Sequence, residues 1–176
     1  METQKASVKK IALNYGLLLA LGTIVVSVIV YVMGMHMDQP WWQSVLNFAI
    51  MITAIVYGLK AYKKDGDGFL TLGEALKTGL AISLIAGIVG SIFTYIFVTV
   101  IEPDFAVQLL EVTREKMITE NPEMTQEQLD MAIGMTEKFM SPGMMVTFGL
   151  IASLFFGFII SLIAGLIMKQ NRPQIQ

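Results

Sequence analysis

Apolar residues fall into four long runs along this chain, separated by short polar stretches and one long acidic one. Residues 11–33, 78–101 and 143–168 contain no Asp, Glu, Lys, Arg or His, and 43–59 is equally free of them. A helix that crosses a hydrocarbon core needs about 20 apolar residues. The pattern therefore predicts spans at about 11–33, 41–62, 72–101 and 142–168. Pro40, Pro103, Pro122, Pro142 and Pro173 all avoid span interiors, where each would cost a backbone hydrogen bond. Pro40, Pro103 and Pro142 stand where helical patterns begin, a position at which the missing N–H costs nothing. Ser141 is the expected N-cap of the fourth span. Trp41 and Trp42 start the second span at headgroup depth, and Tyr57 and Tyr62 mark its other end beside Lys60, Lys63 and Lys64.

The polar stretch 102–141 reads as two amphipathic helices broken at Asn121-Pro122. Phe105, Leu109, Val112 and Lys116 form one stripe, with Ala106, Leu110 and Met117 beside it. The second helix opens on Thr125-x-x-Gln128, a capping box, with Met124 and Leu129 placed as a hydrophobic staple. Its stripe is Leu129, Ala132, Ile133 and Thr136, followed by Phe139 and Met140. Nine acids against three bases give this segment a net charge of −6. That charge suits either a solvated hairpin or a docking surface for a basic protein partner.

"KKDGDGFLTLGE", residues 63–74, has the outline of a calcium loop. Asp65, Asp67, Gly68 and Glu74 fall at positions three, five, six and twelve of an EF-hand. Lys63 then takes position one, where a carboxylate is required, and its charge opposes the ion. A cap-and-turn reading accounts for more residues. Thr71-x-x-Glu74 is a capping box that opens the third span, and Gly66 and Gly68 supply the turn. Under this reading Asp65 and Asp67 have no structural task, and Glu74 pairs locally with Lys77.

Small residues recur every fourth position in two spans. The third carries Ala75, Gly79, Ser83, Gly87 and Ser91; the fourth carries Gly149, Ser153, Gly157, Ser161 and Gly165. The first has a shorter version in Ala12, Gly16 and Ala20. Lipid gives helices no hydrophobic reason to associate, so small ridges that allow close approach are the natural packing surfaces. A four-residue step advances about 400°, so the ridge drifts by about 40° per step. Two neighbours per ridge, one near each end, are therefore expected; a homodimer along part of a ridge is the alternative. "ALNYG" at 12–16 and "ALKTG" at 75–79 also hint at a parallel duplication of the hairpin.

Composition narrows the chemistry. Charged residues are 15% of the 176, against about 25% in soluble domains, and four spans leave room for one membrane domain, 1–176. Nine of the twelve basic residues (Lys5, Lys9, Lys10, Lys60, Lys63, Lys64, Lys77, Lys169 and Arg172) fall on the side of both termini. The excess of positive charge predicts cytoplasmic termini. The first apolar run exceeds the roughly 7–15 residues of a cleavable signal, so an uncleaved first span is expected. There is no cysteine, which removes disulfides and thiolate chemistry. Asn47, Thr53 and Thr94 are the main polar residues at depth besides the ladder serines. No general base, Ser–Lys pair or carboxylate pair is in sight. The expectation is a protein without enzymatic activity, cofactor or nucleic-acid partner, surrounded by membrane lipid. "MGMHMD" places Met33, Met35, His36 and Met37 at one interface, a donor set suited to Cu(I).

The stretches "GFLTLGEALKTG" at 68–79, "EPDF" at 102–105, "REKM" and "MTQEQL" in the acidic segment, and "FFGFIISLIAGLIMK" at 155–169 resemble an uncharacterised bacterial inner-membrane family, domain of unknown function 4199. The resemblance implies four spans in the inner membrane of a Gram-negative cell and brings no catalytic residue. The fold expected is all-α: a polytopic membrane protein with four transmembrane helices packed as a bundle and an external amphipathic hairpin between spans three and four. Its expected role is structural or partner-binding through that acidic hairpin, with small-molecule or Cu(I) handling as the alternative. A polar cavity among the helices would favour the alternative, and a dry, close-packed bundle the first.

Overall fold

The computed structural model describes residues 6–172, so Lys5 and Pro173 lie outside it. Six helices follow in order: α1 (Val8–Val32), α2 (Trp41–Asp65), α3 (Leu72–Ile96), α4 (Phe105–Glu120), α5 (Gln126–Phe139) and α6 (Pro142–Met168). A π-helical turn, Phe97–Ile101, extends α3. No strand occurs among the described residues; one isolated antiparallel bridge joins Leu70 to Gln170. Four helices (α1, α2, α3 with its π turn, and α6) are long and apolar enough to cross a membrane, at 25, 25, 30 and 27 residues. Their outward faces carry exposed Leu18, Val25, Ile92, Ile163 and Ile167, an apolar surface too large for a soluble monomer.

The helix starts show how local sequence sets these boundaries. Thr71 Oγ1 accepts from Glu74 N at 3.3 Å, and the Glu74 carboxylate accepts from Thr71 N at 2.9 Å. Thr125 and Gln128 make the same reciprocal pair at 3.3 and 3.0 Å. Each box satisfies two N–H groups that the helix leaves unpaired. Ser141 differs from expectation. It occupies the N-cap position of α6 but makes no side-chain cap; its hydroxyl donates to Lys138 O at 3.1 Å instead. The preceding helix ends only two residues earlier, and its free carbonyl competes for the hydroxyl. Pro142 begins α6, whereas Pro40 is the N-cap of α2 and Pro103 lies in the turn before α4.

Helix α3 touches α1, α2 and α6, most extensively α6. The two ladders meet rung by rung in antiparallel register. A Cβ built on Gly79 would lie 2.6 Å from Ser161 Cβ, and one on Gly157 would lie 2.5 Å from Ser83 Cβ. Ala75 stands 2.8 Å from the corresponding point on Gly165, and Ser153 Cβ 3.3 Å from that on Gly87. Each of these glycines therefore faces a serine or alanine across the seam, with Leu150 and Leu72 also reaching the points on Gly87 and Gly165. The serine hydroxyls need partners in this dry seam. Ser83 donates to Gly79 O at 3.0 Å and Ser161 to Gly157 O at 2.5 Å, while Ser153 crosses to Ser83 O at 2.9 Å. Gly16 of α1 closes on the other side of α3, with Ile82 O 2.8 Å from its missing Cβ.

The expectation of two neighbours per ridge is corrected by this register. One partner follows four successive rungs. A helix that crosses its partner at an angle tracks a drifting ridge for several turns, as small-xxx-small pairs do. Contact then fails at the fifth rung: Gly149 has nothing within 4 Å of its Cβ position, and Ser91 Oγ has no hydrogen-bond partner.

The end of the molecule that carries both termini is closed by residues far apart in sequence. Arg172 donates through Nε to Asp67 Oδ2 at 2.5 Å and through Nη2 to Glu74 Oε1 at 3.0 Å. Asp67 Oδ1 also accepts from Phe69 N at 3.2 Å, and Gly68 takes the left-handed φ of +82° that glycine permits. Lys63 Nζ donates to Met168 O at 3.4 Å, at the open end of α6. Two expectations fail here. Glu74 pairs with Arg172, not Lys77, and Asp67 has a definite structural role. The loop outlined as a cation site does hold a cation, and that cation is the guanidinium of the C-terminal segment. Asp67 is held below the ordinary aspartate range, first by its hydrogen bond from Arg172.

Two outcomes follow from these contacts. Gly157→Leu should destabilise the protein by about 1–3 kcal/mol through overpacking, whereas Gly149→Leu should pack without strain. Thermal unfolding of both variants in detergent checks this, and equal melting temperatures would overturn the ladder register. Asp67→Asn should lower the melting temperature at neutral pH, with or without calcium. A depressed carboxylate stabilises the fold above its unfolded pKa of 3.8 and loses that effect as pH falls through the native value. The gap between wild type and Asp67→Asn should therefore be constant above about pH 5 and close in more acidic buffer.

Candidate functional site

Where the ladders part, the helices enclose a cavity. Its walls come from the second half of α1, the first half of α2, the second half of α3 and the first half of α6, at the end away from the termini. A deeper compartment of about 640 Å³ reaches down to Leu19, Met51, Ala86 and Phe156. An upper one of about 380 Å³ reaches His36, Gln39 and Phe105, and both share Ser27, Ser44, Asn47, Phe93, Thr94 and Met145. These volumes lie in the range of small-molecule sites, about 300–1,000 Å³. The small residues explain the space. Gly87, Gly90 and Ser91 of α3 and Gly149, Ala152 and Ser153 of α6 all line it. In the closed half such side chains let backbones touch; past the fourth rung they leave volume unfilled.

The polar groups of the walls divide into two kinds. Thr23 Oγ1 donates to Ala20 O at 2.9 Å and Ser27 Oγ to Thr23 O at 3.0 Å, so their donors are used within α1. By contrast, Asn47 Oδ1, Ser91 Oγ and both ring nitrogens of His36 are buried without a partner among the described residues. Buried polar atoms are paired in the great majority of cases. Among the described residues, three of the four with such orphaned atoms line this cavity; the fourth, Thr78, lies in the closed half. Among the lining residues there is no Asp, Glu, Lys or Arg, and His36 is the one titratable side chain.

The mouth is built from aromatic rings and strained backbone. The His36 ring centroid lies 5.0 Å from that of Tyr31, and stacks on Phe105 at 6.4 Å. Phe97 meets Tyr31 and Phe105 edge-on at 5.3 and 5.6 Å. This collar ties the α1–α2 loop to the π turn and to the start of α4. π turns recur at functional sites because the extra residue re-aims the side chains that follow. Gln39, on the rim, has a φ of +46°, a left-handed conformation that non-glycine residues adopt only where the surroundings impose it. It precedes Pro40, which narrows its options further.

The residues singled out from sequence are distributed unevenly about this site. Of Met33, Met35, His36 and Met37, only His36 lines the cavity, and Met33 is 58% exposed. Met145 joins His36 there from α6. No group of three or more His, Cys, Asp or Glu that could hold a metal occurs among the described residues. Asn47 and Thr94, read as polar residues at depth, do face the cavity, while Thr53 donates to Ala49 O at 2.7 Å outside it. Ser91, Gly149, Gly87 and Ser153, read as packing residues, are also cavity walls. Ser44, Gln39 and Gln43 were not foreseen. Their signal was weak, because polar residues near a span end are ordinary; only the convergence of four helices gives them a common target.

An unpartnered carbonyl oxygen in a low-dielectric wall costs about 1–3 kcal/mol. Asn47→Leu should therefore raise the unfolding free energy of the ligand-free protein by about 1 kcal/mol, a stabilisation of the kind seen when a binding residue is removed. Denaturation of the purified variant checks this; a clear loss of stability would mean that the amide has a partner in the resting protein. A family model described as protein of unknown function (DUF4199) matches residues 14–170. No curated protein and no solved structure matches the chain.

Proposed function

Since the chain belongs to the DUF4199 family, whose description carries no function, we propose its role from the geometry. It is a polytopic inner-membrane protein that holds a small uncharged molecule in a cavity open on the outer side. The observation that carries this reading is the convergence of Asn47 Oδ1, Ser91 Oγ and the His36 nitrogens, all without partners among the described residues, on one cavity. Apolar walls with a few convergent polar groups are the usual make-up of such sites. The role is binding rather than catalysis, since no Asp, Glu, Lys or Arg stands beside His36 among the lining residues.

Nine of twelve basic residues lie on the side of the termini, which supports cytoplasmic termini and a cavity facing outward. Helices α4 and α5 then form an external hairpin, joined by the Arg114–Asp130 ion pair at 3.7 Å and with Leu109 and Leu129 buried. Met131, Met135 and Phe139, four residues apart on α5, remain exposed. Phe139 meets the exposed Phe148 of α6 edge-on at 5.4 Å, so this stripe continues the apolar face of the span. An apolar stripe that runs on from a span favours contact with the lipid interface over a basic protein partner. For this reason the cavity, and not the acidic hairpin, is taken as the functional centre.

The absence of cysteine makes single-cysteine labelling direct. In cells with a permeabilised outer membrane, a small impermeant thiol reagent should modify Ser141→Cys and Ser91→Cys. Ser7→Cys should react only after lysis, and Ser83→Cys, in the closed seam, should not react before unfolding. Equal labelling at positions 7 and 141 would reverse the orientation. No reaction at 91 would remove the open cavity.

A further inference from the structure

One side of the cavity wall, between α2 and α6, includes residues that are themselves exposed. Helices α2 and α6 meet where Phe48 and Phe156 pack edge-on at 5.8 Å, close to the cavity floor. Nearer the mouth the wall between them is incomplete. Ser44 of α2 and Gly149 of α6 line the cavity yet are themselves exposed, and nothing lies within 4 Å of the Gly149 Cβ position. The outer surface that flanks this slot is apolar: Val45 is 58% exposed, Phe148 47% and Phe48 43%. A slot between two membrane-spanning helices, bordered by such side chains, opens into hydrocarbon and not into water.

We infer that the ligand is an uncharged, membrane-dissolved lipid, of the diacylglycerol or lipid-alcohol class, that enters sideways between α2 and α6. The inference rests on the small-molecule reading above and names the class of molecule. The unpartnered groups on the walls ask for a head that both donates and accepts hydrogen bonds: Asn47 Oδ1 only accepts, while Ser91 Oγ and the His36 ring do either. A hydroxyl beside an ester carbonyl meets that requirement. Phosphate does not suit the site, because no Lys or Arg lines it and an unpaired buried charge is heavily disfavoured. Below the head, Leu19, Met51, Ala86 and Phe156 form an apolar floor for part of a chain. A longer chain passes out through the slot beside Gly149 and stays in the bilayer. A water-soluble molecule of the same polarity would leave both the slot and the floor without a purpose.

The test uses the full-length protein in nanodiscs and a diacylglycerol with a diazirine on one acyl chain. Labelled peptides are mapped by mass spectrometry. Labelling should saturate, fall on the segments around Met51, Gly149 and Phe156, and be competed by unlabelled diacylglycerol but not by phosphatidylglycerol. Asn47→Leu should weaken that competition by about fivefold to tenfold, the effect of one lost hydrogen bond. Gly149→Phe should block the slot and abolish cavity labelling, with unfolding curves showing that both variants are folded. Labelling that fails to saturate and spreads over outward residues such as Leu18 and Ile163 would overturn the inference. Equal competition by phosphatidylglycerol would overturn it too. Reaction of Ser91→Cys with water-soluble reagents, without photolabelling of the cavity, would refute the lipid and leave the small-molecule reading standing. Silence in both assays would refute both.

Discussion

The close approach of α3 and α6 is the constraint on which the rest of this structure depends. Lipid gives two helices no hydrophobic reason to meet, so association must come from van der Waals contact between backbones and from hydrogen bonds across the seam. Glycine or alanine on one helix faces serine, glycine or alanine on the other at four successive rungs, from Ala75–Gly165 to Gly87–Ser153. The serines fill the space that the glycines leave, and each places its hydroxyl on a backbone carbonyl of its own or the neighbouring helix. With α3 held in this way, α1 packs against its other side through Gly16, and Gly58 of α2 comes up against Ile82.

The cavity is the geometric remainder of the same seam. A four-residue ridge drifts around its helix, and a partner can follow it only for a limited distance. At Ser91 and Gly149 the helices have parted, and residues too small to bridge the gap leave it open. One sequence pattern thus produces a dry, close-packed half and a hollow half. The hollow half carries most of the unpaired polar atoms found among the described residues, an unfavourable arrangement that a ligand able to pair them would offset. The strained rim at Gln39 and the π turn at Phe97–Ile101 belong to that half as well. The unusual features of the molecule therefore collect where binding is proposed.

The opposite end is closed by a different interaction. Arg172 brings the C-terminal segment onto Asp67 and Glu74, Leu70 bridges to Gln170, and Lys63 reaches the last carbonyl of α6. Glu74 takes part in two structures at once, since the carboxylate that caps α3 also receives the guanidinium. This double use makes the α2–α3 loop a joint between the start of one span and the end of another. In a loop close in outline to a calcium site, Asp67 and Glu74 thus have a guanidinium as their partner.

Much of the architecture was legible in the chain because it rests on local physics. The number and limits of the long apolar helices follow from runs without charge, to within three residues at each end. The boxes at Thr71–Glu74 and Thr125–Gln128 follow from side chains that reach only three residues. Ser141 marks the limit of such reading: its position was right, but a nearby carbonyl took its hydroxyl. The small-residue ladders were visible too, yet not their register, their single partner or the rung at which they separate. Those depend on how two helices cross, which no one helix encodes. The pairing of Arg172 with Asp67 spans 105 residues, and the gathering of His36, Asn47 and Ser91 on one cavity joins a loop and two spans. By itself the sequence determined the helices, their ends and the faces able to touch. Only the tertiary structure decided where those faces meet and where they part, because contact over a long sequence separation is a property of the packed chain and not of any segment.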